Sequence, residues 1–112
     1  MAKVLNVKDY GYKVPNGAMY VGRAMPRYNL RASKWGNPMT VREVMQLFPN
    51  IDKAEAHKRA VEWYRGYIKL RRDLLNSLSE LRGKDLACRC APLPCHADVL
   101  LELCNSVQTK GE

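Results

Sequence analysis

The chain has no apolar run approaching the roughly 18–20 consecutive residues that cross a bilayer. Its first residues, Met1-Ala2-Lys3-Val4-Leu5-Asn6-Val7, lack the apolar stretch of about 7–15 residues that marks a secretory signal. A cytoplasmic location without a membrane partner is therefore the expectation. In that reducing compartment cysteines are thiols or metal ligands before they are disulfides. Acidic residues are also scarce, 11 against 19 lysines and arginines. No carboxylate pair identifies an acid/base couple: Asp98 and Glu102, one helical turn apart, read as a solvent-facing pair. Neither Cys90 nor Cys95 is followed by arginine at phosphatase-loop spacing, and the C-x2-C pair of ordinary zinc modules is missing. Repeats and low-complexity segments are absent as well.

What is present suits one domain. The 112 residues, 46% of them hydrophobic, suffice for a single core. The net charge of +8 attracts phosphates, which makes a nucleotide or nucleic acid the expected partner class, although a basic surface can also serve solubility alone.

Lys3 to Val7 alternates polar and apolar side chains and predicts a first strand. A turn-rich passage ending in Asn16-Gly17 follows, then a short buried strand over Ala18 to Gly22. Residues 23–39 carry no periodicity of either kind, and an irregular stretch of that length in a small domain is usually functional. Thr40-Val41-Arg42-Glu43 is a capping box opening a short helix that stops at Phe48-Pro49. Asp52 caps a second helix, on which Ala56, Ala60, Trp63, Tyr64, Tyr67 and Ile68 recur at helical spacing. Leu74, Leu75, Leu78 and Leu81 continue the pattern after a bend near Arg71-Arg72-Asp73, and Gly83 is the expected C-cap. A third strand over Lys84 to Cys88 and a last helix over Cys95 to Asn105 complete the order. The fold class predicted is α/β: a single small domain over 1–107 with a short, partly parallel sheet flanked by helices, and a frayed tail over 108–112. Ligands of such sheets sit beyond the carboxyl ends of the strands, which is where both the Gly22-Arg23 passage and the Cys88–His96 loop begin.

Three of the four cysteines and one of the two histidines fall in Cys88-Arg89-Cys90-Ala91-Pro92-Leu93-Pro94-Cys95-His96. One reading makes Cys88, Cys90, Cys95 and His96 a tetrahedral zinc site. Against it, Cys95 and His96 are adjacent, and on a helix their side chains diverge by about 100°. A second reading places Cys95 and His96 at a helix start, where outward amides and the dipole favour a thiolate or a bound phosphate. Cys95 is then a candidate nucleophile and His96 a candidate acid/base. A third makes the cysteines small buried hydrophobes, which suits Cys104 best. A Cys88–Cys95 or Cys90–Cys95 bridge is the exception that the compartment argument leaves open.

The segment Gly22 to Pro38 interleaves cations, aromatics and small polar residues. Arg23 can grip phosphate, Trp35 and Tyr28 offer faces for a base, and Asn37 can read a base or ribose edge; the alternative for Trp35 is a core anchor. Arg65, Lys69, Arg71, Arg72, Arg82 and Lys84 form a second basic grouping, either a wet helix face or a groove for nucleic acid. His57, among Glu55, Lys58 and Arg59, reads as surface.

Tyr20-Val21-Gly22-Arg23, Ser33-Lys34-Trp35-Gly36-Asn37-Pro38 and the passage from Leu81 to Leu100 closely resemble the family called domain of unknown function 4326, common in bacteriophages and bacteria. The resemblance spans roughly residues 4–104. The family's usual aromatic between the first two cysteines is Arg89 here, which makes the site more cationic and weakens any inherited stacking role. The family name implies no activity. The end of the chain is similar, more faintly, to the domain of unknown function 488 family, in which a strand cysteine precedes a Cys-His-Arg helix start and the position of Cys90 is commonly acidic. That similarity implies that Cys90 need not be a metal ligand, and Ala97 replaces the arginine.

The expectation is a small cytoplasmic protein, in a host cytoplasm if phage-encoded, that binds or acts on a nucleotide or nucleic acid in a cleft. Arg23, Ser33, Trp35 and Asn37 would line one wall and Cys88, Cys90, Cys95 and His96 the other, with Cys95 and His96 as catalytic candidates. The alternative is a non-enzymatic module stapled by zinc, its basic surface engaging nucleic acid or a host protein.

Overall fold

A computed structural model describes residues 2–90 and 93–110, with side chains up to residue 104 in the last helix. Pro92 of the cysteine loop and residues 111–112 of the expected tail lie outside the described residues. The architecture is α/β. Three short strands, β1 (Val4–Asn6), β2 (Ala18–Tyr20) and β3 (Asp85–Cys88), form one sheet in the order β1-β3-β2.

The sheet is wholly parallel rather than partly so. Val4 pairs with Leu86 and Asn6 with Cys88 on one side of β3; Ala18 pairs with Asp85 and Tyr20 with Ala87 on the other. β1 and β2 never pair with each other, because the chain between them does not fold back as a hairpin. The Asn6 side chain caps a 3-10 turn over Val7–Tyr10, and Gly11 ends that turn at a φ of 66°. The Asn16-Gly17 signal marks a tight turn into β2, closed by the Ala18 amide donating to the Pro15 carbonyl at 3.1 Å. The gap left between β1 and β2 is filled by β3, with the Leu86 amide donating to the Lys3 carbonyl and the Val21 amide to the Ala87 carbonyl.

Among the described residues, four α-helices complete the fold: α1 (Val41–Leu47), α2 (Lys53–Lys69), the single turn α3 (Arg72–Leu75) and α4 (His96–Lys110). The Thr40–Glu43 capping box is formed in both directions, and Asp52 accepts from the Glu55 amide at 2.8 Å. Residues 108–110, expected in the tail, belong to α4. The buried stripe of α2 is Ala56, His57, Ala60, Val61, Tyr64 and Ile68. Two expectations fail on this helix. Trp63 is 41% exposed and stacks on Tyr67, whereas His57 is only 6% exposed. His57 shares the spacing of Val61, Tyr64 and Ile68, and that spacing outweighs its charged neighbours in sequence.

Leu74, Leu78 and Leu81 follow α2 into the core, where they meet Leu86 of β3 and Val99 and Leu100 of α4. Gly83 takes a φ of 78° and turns the chain into β3. Trp35 sits in the same cluster at 1% exposure. Burying a side chain of that size contributes about 1.5–3 kcal/mol or more, and its cluster partners tie the irregular first loop to the helices.

Candidate functional site

The loop after β2 is irregular but folded. Pro26–Tyr28 makes a 3-10 turn, Asn29 closes it in the left-handed region at φ 60°, and Met25 bridges to Leu30. Tyr28 stacks on Tyr12 with ring centroids 3.7 Å apart, so one of its faces is already covered. Gly22 allows the chain to pass beneath the Tyr20 ring, since a Cβ there would stand 2.6 Å from the Tyr20 oxygen. The Tyr20 hydroxyl donates to the Arg23 carbonyl.

Beyond the carboxyl ends of β2 and β3 this loop and the cysteine loop line a common cleft of about 230 Å³. Gly22, Arg23, Met25, Asn37, Met39, Thr40 and Val41 come from the first segment. Cys88, Arg89, Cys90, Pro94, Cys95 and His96 come from the second, and α2 adds His57, Ala60 and Val61 between them. Of the residues singled out in the first segment, Arg23 and Asn37 reach the cleft, but Ser33 and Trp35 do not. The Ser33 hydroxyl oxygen accepts from the Trp35 amide at 3.1 Å, and the Trp35 carbonyl accepts from the Tyr64 hydroxyl at 2.7 Å. A buried indole held this way has no face to offer a base. Asn37 acts on the chain itself: its amide nitrogen donates to the Ala60 carbonyl at 2.9 Å and its side-chain oxygen accepts from the Met39 amide at 3.0 Å. Its backbone carbonyl in turn accepts from the Arg23 guanidinium at 2.9 Å, aiming that cation.

On the opposite wall, Cys95 stands just before α4 and its amide donates to the Asp98 carboxylate at 3.0 Å. Asp98 therefore closes the helix start while remaining exposed, as expected, and the exposed Glu102 pairs with Arg65 of α2. The negative charge favoured at a helix N-terminus is supplied from within the chain. Because Cys95 precedes the helix, it and His96 converge: Cys95 Sγ lies 3.5 Å from His96 Nδ1. His96 Nε2 lies 2.6 Å from the Val21 carbonyl oxygen. A carbonyl only accepts, so the proton sits on Nε2 and Nδ1 keeps its lone pair toward the sulfur.

Cys95 Sγ is also 3.0 Å from Cys88 Sγ. Hydrogen bonding to Cys88 and Cys90, together with burial, pushes the Cys95 thiol far up, away from the stabilised thiolate expected at a helix start. The Cys90 thiol is pushed up to about 11, chiefly by its hydrogen bond to Cys88. Burial lowers the pKa of His96, partly offset by the bond to Val21, and lowers that of His57, partly offset by the Pro94 carbonyl. Both imidazoles are neutral at pH 7. Among the described residues, no three His, Cys, Asp or Glu side chains stand at metal-holding spacing.

The second basic grouping is partly spent on neighbours. Arg65 pairs with Glu62 and Glu102, and Arg71 with Asp73. Sequence reasoning missed His57, Thr40 and the apolar floor of Met39 and Val41. For His57 the signal was available in the helical stripe it shares with Val61 and Tyr64.

Fold and site together define a small parallel-sheet α/β domain with a mixed apolar and cationic cleft. Residues 5–106 match the family model described as Domain of unknown function (DUF4326), and the chain belongs to that family. No curated protein and no solved structure matches it. Among the described residues no helix is long and apolar enough to cross a membrane.

Proposed function

We propose that the cleft binds a nucleotide, free or presented by a nucleic acid strand, with its phosphate against Arg23 and Arg89 and its base against Met25, Met39 and Val41. One observation carries this reading: two arginines without a carboxylate partner among the described residues border a hollow whose floor is apolar. Guanidinium groups left unpaired beside a cavity favour a doubly hydrogen-bonded oxyanion. A cavity of about 230 Å³ suits one nucleoside-sized body with its phosphate at the open rim. The net charge of +8 raises the local concentration of such ligands.

Binding is supported better than catalysis. Hydrogen bonding to Cys88 and Cys90, with burial, raises the Cys95 pKa, so no ready thiolate nucleophile stands in the cleft. The test is thermal unfolding against a panel of nucleoside mono-, di- and triphosphates, inorganic phosphate and short DNA and RNA strands. A nucleotide at about a hundred times its Kd adds about 2.7 kcal/mol of stability. That gain is expected to disappear in Arg23→Ala and Arg89→Ala, with the unliganded melting temperature unchanged. A flat response across the panel, or a gain insensitive to both substitutions, would sink the proposal.

A further inference from the structure

The cysteine cluster holds a second feature that nucleotide binding does not use. Cys88 closes β3 and Cys95 precedes α4. Although seven positions apart in sequence, their sulfurs stand 3.0 Å from each other on the cleft wall. A disulfide needs an approach of only about 1 Å more. The neighbouring imidazole is oriented for it: Nε2–H is committed to the Val21 carbonyl, and Nδ1 faces Cys95 Sγ at 3.5 Å. Cys104 provides the contrast within the same chain. Its thiol is buried against the Leu78 carbonyl, outside this thiol cluster, as a cysteine kept for packing would be.

We propose that Cys88 and Cys95 are a dithiol site oxidised by hydrogen peroxide, with His96 as the proton acceptor for Cys95. Both cysteines are almost fully buried yet line the cleft, which selects an oxidant little larger than water. In the first step the Cys95 proton passes to Nδ1 and the sulfur attacks one peroxide oxygen. The O–O bond breaks, an S–O bond forms, and the departing hydroxide takes the proton back from the imidazole and leaves as water. In the second step Cys88 sulfur attacks the Cys95 sulfenic sulfur. The S–S bond forms, the S–O bond breaks, and the hydroxide leaves as a second water with the Cys88 proton. Two thiols lose two electrons and one peroxide becomes two waters. Cys90, half-buried and hydrogen-bonded to both, is the competing partner. The proposal is independent of the nucleotide reading.

The test is peptide mapping of the reduced full chain after exposure to peroxide, with remaining thiols alkylated and no reductant added. Trypsin separates Asp85–Arg89, which carries Cys88, from Cys90–Lys110, which carries the other three cysteines. The expected product is these two peptides joined with the loss of two hydrogens. The link should persist in Cys90→Ser and Cys104→Ser and vanish in Cys88→Ser and Cys95→Ser. His96→Asn should slow its formation about tenfold or more. Thermal melts show which variants remain folded, and the position of the link decides the matter even if His96→Asn does not fold. A link through Cys90 or Cys104, oxidation of Cys95 to sulfinic acid without a link, or purified protein holding a zinc ion that shields the thiols would each overturn the proposal.

Discussion

Trp35 fastens an irregular loop to the helical layer through its ring and its backbone carbonyl, which accepts from Tyr64. Replacing it with alanine removes the largest side chain of the core and leaves a cavity. The expected loss is about 3–5 kcal/mol, measured by urea unfolding, whereas Arg23→Ala at the cleft should leave the urea midpoint in place. The sequence left Trp35 open between a stacking platform and a core anchor, since composition around it favoured the first and residue type the second. What decides is a hydroxyl 29 positions away, on Tyr64, and no local pattern reports a contact of that range. Asn37 is similar: its chemistry was readable, but the partners that consume its amide, Ala60 and Met39, were not. His57 could have been read correctly, because the 3.6-residue period places it with Val61 and Tyr64 regardless of Glu55, Lys58 and Arg59.

Among the elements, helix starts were the most legible and loops the least. Thr40–Glu43 and Asp52 announce α1 and α2 by a local rule, in which an oxygen acceptor satisfies an orphan amide two or three residues on. α4 obeys the same rule in reverse, with Asp98 reaching back to the Cys95 amide. Asp98→Ala is expected to cost about 0.5–2 kcal/mol, comparable to Thr40→Ala. In a domain of this size each kcal/mol lowers the melting temperature by about 4–8 °C. Calorimetry on the two variants checks this. Asp98→Ala should also loosen Cys95 and so change thiol reactivity, which Thr40→Ala should not. The long loop over residues 23–39 reads as functional from its lack of period, but its fold depends on a Tyr12–Tyr28 stack and an Asn37–Ala60 bond that no spacing encodes.

For the molecule as a whole, two buried neutral histidines set the acid response. Burial lowers the folded-state pKa of both His57 and His96 from the ordinary value near 6.5. As pH falls through that value the unfolded chain takes up protons before the folded one does, so stability is full above roughly pH 6.5 and declines below it. Asp73 and Glu102, whose pKa values are lowered by Arg71 and Arg65, add their own loss at still lower pH, from the ordinary carboxylate range downward. Urea unfolding at pH 7.5 and 5.5 should therefore show a clear drop, and His57→Asn should make it shallower. The α/β class was legible because strand and helix periods alternate along the chain, but the pairing order was not, since nothing local says that β3 lies between β1 and β2. That order has a consequence for synthesis. Tyr20 leaves the ribosome well before Asp85, and at roughly 5–20 residues per second the two N-terminal strands wait several seconds for the one that joins them. Until it arrives they have no partner to hydrogen-bond, so a nascent chain halted before residue 85 should be an early target for chaperones and proteases.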